Sequence, residues 1–144
     1  MIQRDGPEIE MFEELKLDMP SEIGSIAPTV DQIVSQIRGS LCLTGKEQDL
    51  EVALFEALAN AVIHGNREQS AKRVNISCRY EPKKCVSIVV RDQGAGFDPA
   101  AVPDPTSPEN LSAEHGRGIL MMKTFMDEVR FEKGGTEVHM LKKL

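Results

Sequence analysis

The stretch Glu56-Ala-Leu-Ala-Asn60-Ala-Val-Ile-His64-Gly65-Asn66 sets two polar side chains, Glu56 and Asn60, four residues apart in a largely apolar run. Four residues is about one helical turn, so on a helix the two stack on one face. Upstream, Leu50, Ala53, Leu54, Ala57, Leu58 and Ala61 recur at helical spacing and form an apolar stripe. The spacing predicts a helix reaching Ile63, started by the capping-box pattern Thr44-x-x-Glu47 and stopped by His64-Gly65-Asn66. A polar pair beside so apolar a flank is either a solvated stripe or one wall of a ligand site.

On either side the pattern changes period. Residues 8–18 partly alternate apolar and polar, as a half-buried strand does, and Pro20 and Gly24 end it. Val30, Ile33, Val34, Ile37 and Leu41 predict a helix from Pro28 to Leu41. Beyond Asn66, residues 74–78 and 86–90 read as two strands joined by a turn at 81–84. The second strand runs into Arg91-Asp92-Gln93-Gly94-Ala95-Gly96, and residues 97–115, rich in Pro, Ser and Asp, read as a long loop or lid. Gly116-Arg117-Gly118 then precedes an apolar helix over about 119–126. Two short strands, about 128–133 and 136–142, close the chain around Gly134-Gly135. Strands in adjacent pairs rather than alternating with helices predict an α+β fold: a two-layer sandwich with a mixed, mainly antiparallel sheet and helices on one face. We expect a single domain over residues 1–144.

Composition narrows the class. The net charge is −6, and there are five Phe, one Tyr and no Trp, which disfavours a nucleic-acid binder built on cationic grooves and exposed rings. Residues 1–22 hold seven acidic and two basic side chains, so five of the six net negative charges sit in an acidic N-terminal arm. This arm is either a solvated edge strand or a surface facing a partner. No apolar run reaches the roughly 18 residues that span a bilayer. The first residues lack a signal-like apolar stretch, and Cys42, Cys78 and Cys85 are odd in number without Cys-x-x-Cys spacing, so a reducing, cytoplasmic setting is expected.

Three polar features are each weak alone but fit one ligand together. Glycines after a strand (Gly94, Gly96) and before a helix (Gly116, Gly118) let backbone N–H groups approach an anion, and a helix start favours phosphate. Asp92 at a strand end can accept from an exocyclic amino group and so select adenine. The Asn60 amide oxygen suits Mg²⁺, and Glu56 one turn away can orient or deprotonate a nucleophile. The P-loop pattern Gly-x-x-x-x-Gly-Lys-Ser/Thr and the kinase Gly-x-Gly-x-x-Gly pattern do not occur.

With these residues in view, the sequence resembles a known family. The 56–66 stretch resembles the N box of Bergerat-fold (GHKL, histidine-kinase-like) ATPases. Asp92-Gln-Gly94-Ala-Gly96-Phe97 resembles their first glycine box, Gly116-Arg-Gly118 the second, and Gly134-Gly135-Thr136 the late strand turn. The His-Gly-Asn ending of the N box and the segment Leu120-Met-Met-Lys123 to Val129 are closest to bacterial anti-sigma factor serine-protein kinases.

The resemblance implies ATP and Mg²⁺ as cofactors and Glu56 as catalytic base. It makes Asn60 the Mg²⁺ ligand, Asp92 the adenine contact, Gly94 and Gly96 the pocket wall, Gly116 and Gly118 the phosphate cradle, and Thr136 a neighbour of the adenine. Gly-Arg-Gly-Ile-Leu departs from the Gly-x-Gly-Leu-Gly-Leu form of histidine kinases, and Arg117 is either a cationic phosphate contact or a surface ion pair. The partners implied are an anti-anti-sigma (STAS-type) protein, a sigma factor and a second copy of the chain, with no direct nucleic acid and no membrane. The activity implied is phosphorylation of a Ser on the antagonist. The alternatives are an ATP-gated binding module without catalysis, or the detached ATP-binding domain of a histidine kinase. His64 is read as a helix cap, a lid contact or the third member of a metal set with Glu56 and Asn60. His115 is read as a lid-positioning residue, His139 as a structural strand residue, and Met121, Met122 and Met126 as core.

Overall fold

The computed structural model describes residues 13–40, 45–81, 84–98, 100 and 114–144. Cys42, the capping hydroxyl of Thr44, residues 1–12 of the acidic arm, most of the 97–115 loop and the His115 side chain lie outside the described residues.

Eight elements follow one another: β1 (Glu13–Pro20), α1 (Ile26–Ser40), α2 (Glu47–Ala59), β2 (Arg73–Glu81), β3 (Cys85–Arg91), α3 (Glu114–Phe125), β4 (Glu128–Glu132) and β5 (Glu137–Lys143). The strands form one sheet in the order β1-β2-β3-β5-β4. Every pairing is antiparallel, so the expected mainly antiparallel sheet is wholly so among the described residues. Three helices pack on it, giving the expected α+β fold.

The layer arrangement follows from period two in the strands. Val74, Ile76, Cys78 and Tyr80 of β2, Val86, Ile88 and Val90 of β3, and Val138 and Met140 of β5 are buried, while their neighbours are not. Against this face lie Leu50, Ala53, Leu54, Ala57 and Leu58 of α2, all fully buried. Each such Leu contributes about 1.5–3 kcal/mol of transfer free energy. The opposite face carries polar side chains, among them Arg91, whose guanidinium donates to Asn75 Oδ1, Ser77 Oγ and Glu137 Oε2 at 3.0–3.3 Å. The methionine cluster divides: Met122 and Met126 are core, whereas Met121 is 37% exposed.

Lys142 fixes α2 relative to α3. Its buried ammonium donates to Asp49 Oδ2 at 2.9 Å, in the first turn of α2, and to the Phe125 carbonyl at 2.7 Å, at the end of α3. An anion at a helix start and a cation at a helix end are both dipole-favoured, so one contact orients two helices.

Three local expectations change. The first helical residue of α2 is Glu47 and its N-cap is Lys46, without a side-chain cap bond, so the Thr44-x-x-Glu47 register does not start it. Gly116 and Gly118 lie inside α3 (Glu114–Phe125) rather than before it. Finally, α2 does not stop at Ile63. It continues as a π-helical turn over Asn60–Gly65, closed by the Asn66 N–H donating to the Ala61 carbonyl at 2.8 Å.

Candidate active site

The π turn positions the site. One extra residue per turn alters the direction of everything after Asn60, a device common where a helix carries function. Between this end of α2 and the start of α3 lies a cleft of about 250 Å³, whose lining includes Glu56, Asn60, Ile63, His64, Arg117 and Gly118. The Asn60 Oδ1 atom is buried and accepts no hydrogen bond. A buried amide oxygen left in this state carries a desolvation penalty of about 1–3 kcal/mol. It is a hard oxygen donor on a residue that lines the cleft, which fits a Mg²⁺ ion that keeps most of its waters. Among the described residues no three His, Cys, Asp or Glu side chains converge to hold a metal. The candidate donor set at this cleft is therefore an amide oxygen beside a single carboxylate and an exposed imidazole.

Glu56 is half-buried, and desolvation raises its pKa above the ordinary carboxylate value. A Cβ at Gly118 would stand 2.9 Å from Glu56 Oε2. The missing side chain thus lets the Glu56 carboxylate lie against the backbone of α3. Of the residues expected to hold phosphate, Arg117 and Gly118 line the cleft, whereas Gly116 is buried and does not.

The remaining candidates form a second cluster behind the π turn. The Asp92 N–H donates to the Thr136 carbonyl at 2.9 Å, and Asp92 Oδ1 accepts from the Gly94 N–H at 2.8 Å. Desolvation raises the Asp92 pKa, opposed by the Gly94 N–H and by the charge of Lys72. A Cβ at Gly65 would overlap the Asp92 carboxylate, and one at Gly94 would overlap the Gly65 carbonyl. Gly96 has φ +83° and no room for a side chain beside the Gly134 carbonyl, which accepts from the Phe97 N–H at 2.8 Å. The Thr136 hydroxyl donates to the Lys133 carbonyl at 2.9 Å. Asp92, Gly94, Gly96 and Thr136 are therefore one packed corner, joined to the cleft through Asn60–Gly65.

Two residues of this corner are not among the sequence candidates for ligand binding. Gly65 reads in sequence only as a helix stop. Asn66 also reads as a stop, yet it is fully buried: its Nδ2 donates to the Arg73 carbonyl at 3.0 Å and its Oδ1 accepts from the Gln93 N–H at 2.8 Å. Gln93 Oε1 in turn accepts from the Arg73 N–H at 2.7 Å. Asn66→Ala removes both hydrogen bonds made by this buried side chain, so urea unfolding should register a loss of about 1–3 kcal/mol. His139 is structural as expected, with Nε2 3.0 Å from Glu137 Oε1.

Residues 19–142 match the histidine kinase-like ATPase domain. The chain belongs to this family. An ATPase domain of this family implies ATP binding. Among curated relatives, an anti-sigma F factor of Clostridium novyi (strain NT) is 38% identical over 102 residues, covering 67% of this chain and 70% of that protein. The serine-protein kinase RsbW of Bacillus licheniformis is 32% identical over 151 aligned positions, covering 98% and 88%. An anti-sigma F factor of Priestia megaterium is 29% identical over 135, covering 90% and 82%. This histidine kinase-like ATPase domain shows, among its described residues, no helix long and apolar enough to cross a membrane.

Proposed function

We propose that this chain is an ATP-binding anti-sigma regulatory factor with serine-protein kinase activity, working in the cytoplasm as one domain. The observation that carries this reading is the pairing, in one cleft, of a half-buried carboxylate on Glu56 with the unsatisfied amide oxygen of Asn60. The names of its relatives, anti-sigma F factor and serine-protein kinase, support the same assignment.

In this mechanism Asn60 would hold Mg²⁺, and the ion would supply charge neutralisation at the ATP phosphates. Asp92 accepts from the adenine amino group through its Oδ2, since Oδ1 is engaged by Gly94. Gly94, Gly96 and Thr136 shape the adenine corner, while Gly118 and Arg117 face the phosphates and the buried Gly116 packs behind them in α3. Glu56 takes the proton from a Ser hydroxyl of an anti-anti-sigma, STAS-type protein. The Ser oxygen bonds to the γ-phosphorus as its bond to the β,γ-bridging oxygen breaks, and ADP leaves. Once the antagonist is phosphorylated, the chain is left to sequester a sigma factor, either singly or as a homodimer.

The test is incubation of the chain with a STAS-domain protein and ATP labelled in the γ-phosphate, with and without Mg²⁺. Label on a single Ser, dependent on Mg²⁺, is expected. Tight ATP binding with no transfer would instead support an ATP-gated binding module.

A further inference from the structure

Glu56 and Met121 line not one depression but two. On the far side of Glu56 from Asn60, a groove of about 350 Å³ runs between α1, α2 and α3, with walls from Ala27, Val30, Val52 and Phe55. Phe55 is 44% exposed and Met121 37% exposed, so two large apolar side chains meet solvent at its edges. Side chains of this size at the edges of a groove are apolar surface that a docked partner can bury. The charged residues of the lining are Asp31, Glu51 and Glu56, all acidic, with Arg38 reaching Glu51 only from 3.8 Å.

Position and chemistry together specify the occupant. A protein hydroxyl that loses its proton to Glu56 must arrive on a chain, and that chain has to leave the cleft. Here the exit past Glu56 is apolar and acid-rimmed. We propose that the α1–α2–α3 groove seats the phosphoacceptor segment of the protein substrate, with one apolar side chain between Phe55 and Met121 and a basic side chain beside Asp31 and Glu51. The neighbouring Ser hydroxyl is thereby delivered to Glu56. This inference rests on the serine-kinase reading above and adds the sequence features by which the substrate is selected.

The probe is a displayed library of random peptides with one fixed Ser, panned on the full chain loaded with Mg²⁺ and a non-hydrolysable ATP analogue. Phe55→Asp serves as the comparison, because Phe55 lines the groove and not the cleft. Expected is enrichment of an apolar residue and a Lys or Arg within a few positions of the Ser, with capture by Phe55→Asp weakened about tenfold or more. Affinity for a fluorescent ATP analogue should stay the same in both proteins. Captured peptides should take label from the γ-phosphate of ATP on the fixed Ser. Capture without labelling leaves the groove standing and removes the kinase reading. Labelling that is indifferent to Phe55→Asp keeps the kinase and overturns the groove. No enrichment, or a self-association of the chain that Phe55→Asp abolishes, also overturns it, the latter by giving the groove to a second copy.

Discussion

Glu56→Gln is expected to lower the rate of phosphoryl transfer by about 10²–10⁴-fold while leaving ATP affinity nearly unchanged. The amide keeps the shape and can still hydrogen-bond, but it cannot take a proton at neutral pH. Removing an interaction used only in the transition state lowers kcat and kcat/KM together, whereas a residue that merely holds ATP would raise KM. Single-turnover transfer with saturating ATP separates the two. The pH profile gives a second readout. Desolvation raises the Glu56 pKa, and only the ionised carboxylate accepts a proton, so the wild-type rate should climb with pH through an apparent pKa above the ordinary carboxylate value. The residual activity of the Gln variant should lack that limb. Stability moves the opposite way. A carboxylate whose folded-state pKa is raised disfavours the fold once ionised, and the penalty is relieved as pH falls through that pKa. At neutral pH the Gln variant should therefore unfold at the same urea concentration as wild type or a higher one. A variant that is less stable and correspondingly less active would mark Glu56 as structural.

How much of this site a reader of the sequence can reach depends on the range of the interactions involved. Glu56 and Asn60 share a helix face because the 3.6-residue period is local, and the alternation in 74–78 and 86–90 finds β2 and β3 for the same reason. The glycines are legible as places where backbone must approach closely, as Gly94 and Gly96 do against the Gly65 and Gly134 carbonyls. What the sequence hides are contacts between residues distant in the chain. Asn66 meets Gln93, 27 residues away, and Lys142 meets Asp49, 93 away; neither pairing leaves a periodic trace. The π turn is hidden for a related reason. An apolar stripe through Ile63 suits an α-helix equally well, and it is the burial of Asn66 against Arg73 and Gln93 that rewards the wider turn. The capping-box pattern misleads because a short motif fits several registers, and packing of α2 against the sheet selects one.

Gly94→Ala should remove ATP binding more completely than loss of any single hydrogen bond to the nucleotide. The β-carbon would fall inside the Gly65 carbonyl, and it meets the Asp92 side chain at 3.1 Å. The Gly65 carbonyl belongs to the backbone of the π turn, so it cannot rotate away as a flexible side chain would. Either the 92–96 loop lifts or the π turn unwinds. Lifting the loop breaks the Gly94 N–H bond that aims the Asp92 carboxylate, and unwinding moves Asn60, which sits at the start of the same turn. Both routes separate the proposed adenine corner from the proposed phosphate cleft, and a ligand that must span the two loses both sets of contacts. We expect ATP affinity to fall by about 100-fold or more, with overpacking strain of about 1–3 kcal/mol in unfolding free energy. Gly24→Ala is the matched control: it introduces the same methyl where no atom lies within 4 Å, and it should bind ATP as the wild type does. Calorimetric titration of both variants, beside urea unfolding curves, distinguishes a broken site from a broken fold. A Gly94→Ala protein that bound ATP within about twofold of wild type would falsify the close backbone packing as the element that builds the adenine corner.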